Sequence, residues 1–403
     1  MKVEPAEVQE RWKGYFEELL NRENPNTLEE APAVHGPLEL ITVDEVSTAL
    51  KCMKSGKAAG PSEVITEMFK IAGDLGTDML CSVFNRILSS DTTPVEWAKS
   101  ITVPLYKGKG DALDCGKYRG LRLLEHGMKI WERILMCRLE VHIKISPQQF
   151  GFAAGKSTTD AIFIARQLQE KYLQNKKELY HIFVDLEKAF DKVPRQAISW
   201  ALRRQMVPEY LVKAVMGLYT NSMSQVKFAG GLSEEFPIRV GVHQGSALSP
   251  LLFKIVMEEA TKDVRIGDPW ELLYADDLVL TAESRDGVLK MFNDWSRAME
   301  LRGMKVNIGK TKLLVSGKKC REPTSSGQYP CAVCSRGVGA NSIYCTSCRK
   351  WCHKRCSGLS SFAGITDYTC PVCSGALQQP AWIDESIVVD SGTIEEVSEF
   401  TYL

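Results

Sequence analysis

Nothing at the start of this sequence has the apolar core of a signal peptide. The first ten residues, Met1 to Glu10, are charged from the second position, so export is not expected. Long hydrophobic runs are scarce as well. The most apolar window, Leu248 to Met257, is broken by Lys254 and falls well below the ~20 residues of a membrane span. Net charge is missing too: 50 Lys and Arg offset 50 Asp and Glu. No molecule-wide field therefore steers a polyanion, and any nucleic-acid contact must rest on local basic surface. A hydrophobic content of 44% with 25% charged residues excludes a disordered or fibrous chain. A soluble intracellular protein is expected.

Cysteine is present but unevenly placed. Cys52, Cys81, Cys115 and Cys137 are scattered, whereas nine of the 13 lie between Cys320 and Cys373. In a reducing compartment, clustered C-x2-C pairs read as metal ligands rather than disulfides. Val8 to Leu20 has apolar residues at helical spacing and predicts a docking helix. A Pro-rich linker follows, and Thr42 with Glu45 has capping-box spacing at the start of the next helix. From there to about Ser316 strands and helices mix without repeats, as in one α+β domain. After the cysteine-rich segment, Ala381 to Asp390 and Val397 to Leu403 return to β-like alternation.

Within Glu271-Leu-Leu-Tyr-Ala-Asp-Asp-Leu-Val-Leu-Thr-Ala282, the carboxylates Asp276 and Asp277 sit between two apolar runs. Strand, acidic two-residue turn, strand is the local expectation. Adjacent carboxylates repel and resist burial, so a cation is their natural compensation, although a plain surface Asp-Asp turn fits the same letters. An apolar run ending in Asp185 supplies a third oxygen ligand. Hard oxygen ligands suit Mg²⁺, and two such ions about 4 Å apart can clamp an in-line phosphoryl displacement.

Three motifs in order, Phe183-Val-Asp185-Leu-Glu-Lys-Ala-Phe190-Asp191, Gly241-Val-His-Gln244-Gly245-Ser-Ala-Leu248-Ser249-Pro250 and Tyr274-Ala-Asp276-Asp277, resemble motifs A, B and C of reverse transcriptases. The variant is that of non-LTR (LINE-type) retrotransposons. Lys107-Gly-Lys-Gly-Asp with Tyr118-Arg119, Gln149-Phe-Gly-Phe152 with Ser157-Thr-Thr159, and Gly303-Met-Lys-Val-Asn307-Ile-Gly-Lys310-Thr311 extend the likeness. The resemblance implies a right-hand polymerase with fingers and an antiparallel palm sheet. Asp185 and Asp276 would hold two Mg²⁺, with Asp277 beside them. Phe190 would be a gate against the ribose 2′-OH, or else a core aromatic. Gln244 and Gly245 would line the nucleotide and template side, while Lys107, or Lys109 nearby, and Arg119 would grip the triphosphate. Lys310, with Lys305 and Lys312 as competitors, would protonate the leaving pyrophosphate. Between Lys99 and Lys144 basic residues outnumber acids two to one, fitting a template-phosphate surface or a solvated helix face. Gly151 to Ser157 is one residue short of a Walker A loop, and an ATPase is discarded.

The order Cys331-x2-Cys334-x10-Cys345-x2-Cys348-x4-His353-x2-Cys356-x13-Cys370-x2-Cys373 offers eight ligands, enough for two tetrahedral Zn²⁺ sites. It resembles a PHD-type finger, with Trp351 and Tyr368 at further matching positions. That resemblance implies a cross-brace in which Cys331, Cys334, His353 and Cys356 hold one zinc and Cys345, Cys348, Cys370 and Cys373 the other. Cys320 and Cys352 are left over. Tyr344 or Trp351 would wall a methyl-lysine cage if the finger takes a histone tail. Nucleic-acid contact through Lys350, Lys354 and Arg355, or a structural role, are the alternatives.

The expected organisation is an N-terminal helix and linker over 1–40, fingers and palm over 41–318, the finger over 319–379 and a palm continuation with partial motif E over 380–403. Ser62 and Gly120 depart from the family pattern, and no thumb or upstream endonuclease is seen, as in a fragment. The expected activity is RNA-directed DNA synthesis from a primer 3′-OH, with RNA template, DNA primer and dNTP as partners and a nuclear setting. The alternative is an inactive polymerase-like scaffold whose finger binds a histone tail or nucleic acid.

Overall fold

The computed structural model describes residues 4–22, 30–317, 329–333, 337–338, 341–359, 365, 367–374 and 387–389. Cys320, Cys334 and the motif E stretch from Val397 to Leu403 lie outside the described residues. Two compact units are present, one from residues 1–168 and 181–311, the other from residues 169–180 and 312–397 as far as described.

The first unit runs α1 (Pro5–Asn21), α2 (Val43–Lys51), α3 (Thr66–Ile71), α4 (Gly73–Ser90), β1 (Lys99–Tyr106), β2 (Tyr118–Leu123), α5 (His126–Glu140), α6 (Thr158–Gln174), β3 (Leu179–Val184), α7 (Ala189–Lys192), α8 (Arg195–Arg204), α9 (Glu209–Gly217), β4 (Met223–Phe228), β5 (Gly231–Leu232), β6 (Phe236–Pro237), α10 (Ser249–Thr261), β7 (Glu271–Tyr274), β8 (Asp277–Ala282) and α11 (Arg285–Glu300). The last residues of α6 and the first two of β3 belong to the second unit. A mixed sheet has β1 between β2, antiparallel, and β4, parallel, while β5 and β6 pair with β4. A second sheet carries β3, β8 and β7 side by side. Mixed sheets with helices give the α+β class that the sequence predicts.

Local chemistry accounts for several element starts. The Thr42 hydroxyl accepts from the Glu45 amide while the Glu45 carboxylate accepts from the Thr42 amide, a complete capping box for α2. Ser157 and Asp160 exchange the same pair of bonds ahead of α6, which explains the Ser-Thr-Thr-Asp letters without a nucleotide loop. The apolar run from Leu248 becomes α10, with Leu252, Phe253, Ile255, Val256 and Met257 all buried. Among the described residues no helix is long and apolar enough to cross a membrane.

Helix α1 docks by its stripe of Trp12, Tyr15, Phe16, Leu19 and Leu20, which has the i, i+3, i+4, i+7, i+8 spacing of one helix face. Phe16 and Leu20 are buried with Val226 of β4, Phe236 of β6 and Ile238. Gly120 of β2 is the receiving position: a Cβ there would lie 2.6 Å from Phe16 Cε1. Only a residue without a side chain at this position leaves room for the Phe16 ring.

The second unit contains β9 (Lys312–Ser316), β10 (Tyr329–Pro330), β11 (Gly337–Val338), β12 (Ser342–Tyr344), β13 (Trp351–His353), α12 (Lys354–Ser357) and β14 (Ile387–Val389). β14 pairs with β9 in parallel, and β10–β11 and β12–β13 are antiparallel pairs. Its small core gathers Cys331, Val338, Cys345, Cys352, Tyr368 and Cys370.

Phe16→Ala is expected to lower the unfolding free energy by about 3–5 kcal/mol, the usual loss for a buried ring. The urea midpoint measures it, and a change below about 1 kcal/mol would mean that α1 contributes little to this unit's core.

Candidate active site

β7 and β8 form a hairpin in which Tyr274 pairs with Asp277, so the two turn residues are Ala275 and Asp276. The expected acidic turn is displaced by one position. Asp277 opens β8, and Ala275 takes the positive φ of 57° that such tight turns require at their first central residue. Register explains the difference: with Leu273 opposite Leu278, the pairing leaves only two residues unpaired.

The hairpin is braced from beneath by the Gln149-Phe-Gly-Phe152 segment. The Gln149 side-chain oxygen accepts from the Gly151 amide at 2.9 Å and from the Ala275 amide at 3.1 Å. Phe150 donates its amide to Leu273 O at 2.7 Å, and Leu273 donates to Gln148 O at 2.9 Å. Gly151 is obligatory by space, since a Cβ there would sit 2.2 Å from the Ala275 nitrogen. Gln149 and Gly151 were quoted in sequence only as part of a motif, and their bracing role emerges from the geometry.

Asp185 follows β3. Its backbone oxygen accepts from the Asn307 amide at 2.7 Å, and the next residue, Leu186, bridges to Val306. The turn from Asn307 to Lys310 then returns Lys310, whose Nζ donates to Asp185 Oδ2 at 3.2 Å. Lys305 and Lys312 make no such contact among the described bonds.

The three carboxylates influence one another. Burial is the first cause holding Asp276 above the ordinary carboxylate range; Asp185 adds to it, and Arg119 and Lys310 partly offset it. Asp277 is pushed up to about 7 by burial, then by the negative charges of Asp276 and Asp185. Lys310 touches Asp185 and partly offsets the charge of the other two. The oxygens are of the type a hard divalent cation takes, but among the described residues the three-ligand groups within 4.8 Å do not include these carboxylates.

Of the remaining predicted residues, Lys107 and Arg119 lie on the β1–β2 hairpin, where Leu105 pairs with Arg119 and Lys107 donates its amide to Lys117 O. Burial lowers the Lys107 pKa, and the cations Lys188, Lys310 and Arg119 lower it further. The Phe190 ring stacks on Phe253 at 4.6 Å and meets Phe152 edge-on at 6.3 Å. It is half-buried, so one part of the ring is a packing element and another faces solvent. Gln244 donates its side-chain amide to the half-buried Asp191 at 2.8 Å and accepts the Arg122 amide at 2.8 Å through its backbone oxygen. Gly245 is exposed beside Leu121 of β2. Behind this loop, Glu132 of α5 accepts from the Ser246 hydroxyl at 2.6 Å and the Ala247 amide at 3.2 Å. Burial pushes Glu132 up to about 7. Nothing in its sequence setting marked Glu132, which reads there as one acid on a helix.

In the second unit, Cys345, Cys348, Cys370 and Cys373 have ligand atoms within 4.8 Å of one another, as do Cys331, His353 and Cys356. Cys348 Sγ and Cys370 Sγ lie 3.8 Å apart, and Cys356 Sγ lies 3.9 Å from His353 Nδ1. The Cys370 amide donates to Cys345 Sγ and the His353 amide to Cys331 Sγ. Cys352 belongs to neither group, though it shares their core, and its thiol is pushed up to about 12, first by burial.

Mixed sheets with helices, and acidic side chains on the β7–β8 hairpin and just after β3, are consistent with a polymerase domain. The sequence model of the reverse transcriptase (RNA-dependent DNA polymerase) family matches residues 107–343, more than half of the chain, and the chain belongs to that family. It is 27% identical over 277 residues to the retrovirus-related Pol polyprotein from type-1 retrotransposable element R2 of Nasonia vitripennis, covering 66% of this chain and 26% of that protein. With the RNA-directed DNA polymerase from mobile element jockey of Drosophila melanogaster it shares 27% identity over 286 residues, 67% of this chain and 30% of the relative. The Pol polyprotein from type-1 element R1 of Bradysia coprophila is 25% identical over 359 residues, 83% of this chain and 33% of the relative. The chain thus spans about a quarter to a third of the length of these curated relatives.

The folded pKa of Asp277 lies above the unfolded value near 3.9, so without metal the native state keeps a proton that the unfolded chain releases. Stability is then lost as pH rises from ~4 through about 7. Asp277→Asn is expected to gain on the wild type between pH 5 and pH 8 by on the order of 2 kcal/mol, after discounting for solvent screening. Urea midpoints without added Mg²⁺ measure it, and a pH-independent difference would remove Asp277 ionisation from the account.

Proposed function

We propose that this chain catalyses RNA-templated DNA synthesis from a primer 3′-OH, as the fingers and palm of a non-LTR retrotransposon polymerase acting in the nucleus. The observation that carries this reading is that Asp185, Asp276 and Asp277, from two distant segments, act on one another's charge, with Asp277 raised to about 7 by burial and then by the charges of Asp276 and Asp185. Asp185 and Asp276 are the proposed ligands of two Mg²⁺, with Asp277 as electrostatic support. Bound there, the ions would lower the pKa of the primer hydroxyl and stabilise the leaving oxygen.

The chain's own residues do the rest of the work. Lys107 and Arg119 hold the triphosphate by charge-assisted hydrogen bonds. Phe190, fixed from behind by Phe253, blocks a ribose 2′-OH. Gln244 and Gly245 carry the template side, and Glu132 holds their loop through Ser246 and Ala247. Lys310 donates the proton to the departing pyrophosphate; it already sits at Asp185. The domain division into N-terminal helix, fingers and palm, finger and palm continuation is part of the same proposal.

For the finger we propose two structural Zn²⁺ in a PHD-type cross-brace. Zn–S bonds of ~2.3 Å give a tetrahedron edge of about 3.8 Å, and Cys348 and Cys370 stand 3.8 Å apart. Backbone N–H groups already point at Cys331 and Cys345, as thiolate ligands require. Tyr344 and Trp351, with ring centroids 5.3 Å apart at 66°, supply two walls for a methyl-lysine of a histone tail.

Primer extension on an RNA template with Mg²⁺ and dNTPs is expected for the wild type, and a fall of at least ~10³-fold for Asp276→Ala/Asp277→Ala, since the ligand set is then broken. Extension that survives the double change would place the chemistry elsewhere. Metal analysis of the purified chain is expected to find two zinc ions, falling to one in Cys348→Ser, and trimethyl-lysine peptide binding is expected to vanish in Trp351→Ala. Zinc-free folded protein would overturn the finger assignment, and unchanged peptide binding the cage.

A further inference from the structure

Behind the loop that carries Gln244, two guanidinium groups are buried with little to neutralise them. Arg122 of β2 is 2% exposed, and its Nη1 and Nη2 find no hydrogen-bond partner among the described residues. Arg195, the first residue of α8, donates Nη1 to Tyr219 O at 2.7 Å, while its Nε and Nη2 are buried and likewise unpartnered. The Nδ1 of His243, on a side chain 3% exposed, is the fifth such atom. Roughly nine-tenths or more of buried polar groups in folded proteins are hydrogen-bonded, so this many in one region point to a partner that the chain does not supply.

The Tyr219 ring draws the three side chains into one place. Its centroid lies 4.6 Å from that of His243 and 5.1 Å from Arg195 Cζ. Arg122 enters from the strand side, its amide bonded to the oxygen of Gln244, the residue after His243. The charges act on one another accordingly. Burial and then the Arg122 cation hold Arg195 down to about 10, and burial with both cations keeps His243 well below the ordinary imidazole range and hence neutral. On the opposing side, the Asp191 carboxylate acts on Arg122, but its Oδ1 already accepts from Gln244. Glu132 acts on Tyr219 and is taken by Ser246 and Ala247. Two guanidinium charges thus share one carboxylate.

A water molecule would satisfy some of these N–H groups and leave the charge as it stands, whereas buried charges persist in proteins when they are paired. We propose that Arg122, Arg195 and His243 form a buried site for a small monovalent anion of the chloride type. Both guanidinium groups are donors only, and a neutral imidazole protonated at Nδ1 adds one more N–H, so the set has donors for an anion and no acceptor to repel it. The enclosure of Arg122 and His243 limits the occupant to an ion of about halide size. Such an ion fastens β2, the start of α8 and the His243–Gln244 segment to one another, and the Ser249 hydroxyl holds His243 O at 2.8 Å from the other side. The site does not depend on the nucleotidyl-transfer reading, and its test needs no activity.

The test is a series of thermal melts of the full chain at constant ionic strength, with sodium gluconate replaced stepwise by sodium chloride. The midpoint is expected to rise by roughly 3 °C for each tenfold increase in chloride above its Kd, and bromide is expected to act as chloride does. Arg195→Met is expected to abolish the rise, whereas Lys99→Met, at an exposed cation, is expected to keep it. Anomalous diffraction from crystals grown in bromide is expected to show one ion in contact with both Arg122 and Arg195. Equal midpoints in gluconate and chloride, a rise that survives Arg195→Met, or a water in place of bromide between the two guanidinium groups would overturn the proposal. Should Arg195→Met not fold, the bromide signal in the wild type decides.

Discussion

Three carboxylates held close together in a half-buried setting set the terms for the first unit. Burial raises Asp277 first, and the charges of Asp276 and Asp185 add to it, to about 7. A chain free to relax would separate them. Here Gln149 ties the Ala275 amide and the Asn307 amide ties the Asp185 backbone, so both segments are held in place.

Rigidity of this kind has to be anchored in a core. Helix α10 supplies it, with nearly every residue from Leu251 to Met257 buried, and Phe253 passes that rigidity to Phe190 by stacking. Glu132 on α5 does the equivalent for the Gln244–Ala247 loop. The residues proposed to touch substrate are therefore backed by groups whose own positions are fixed by packing or by two hydrogen bonds, which is what preorganised electrostatics requires. α1 is seated by Phe16 in the space left by Gly120 and meets Lys188 through Tyr15.

The second unit solves a different problem. Among its described residues the buried core is Val338, Tyr368 and four cysteines. Thiols and one imidazole lie within 4.8 Å of one another, a set that could hold metal, and metal binding there would be coupled to folding.

Much was legible in the letters alone. The α1 stripe, the Thr42–Glu45 cap, the carboxylates flanked by apolar runs and the cysteine spacing are local patterns, and local patterns survive without a fold because periodicity and capping act within one turn or one strand. The misplaced turn at Asp276–Asp277 shows where that ends: register belongs to the pairing of Tyr274 with Asp277, a contact between strands. The roles of Gly120, Gln149, Gly151 and Glu132, and the Tyr15–Lys188 contact, were likewise invisible, as each acts on a partner that only chain folding brings near. The sequence by itself determined which chemistry-bearing groups exist and which local elements carry them; tertiary structure alone decided which of them meet, because long-range contacts follow from how the elements pack and leave no periodic trace in the chain.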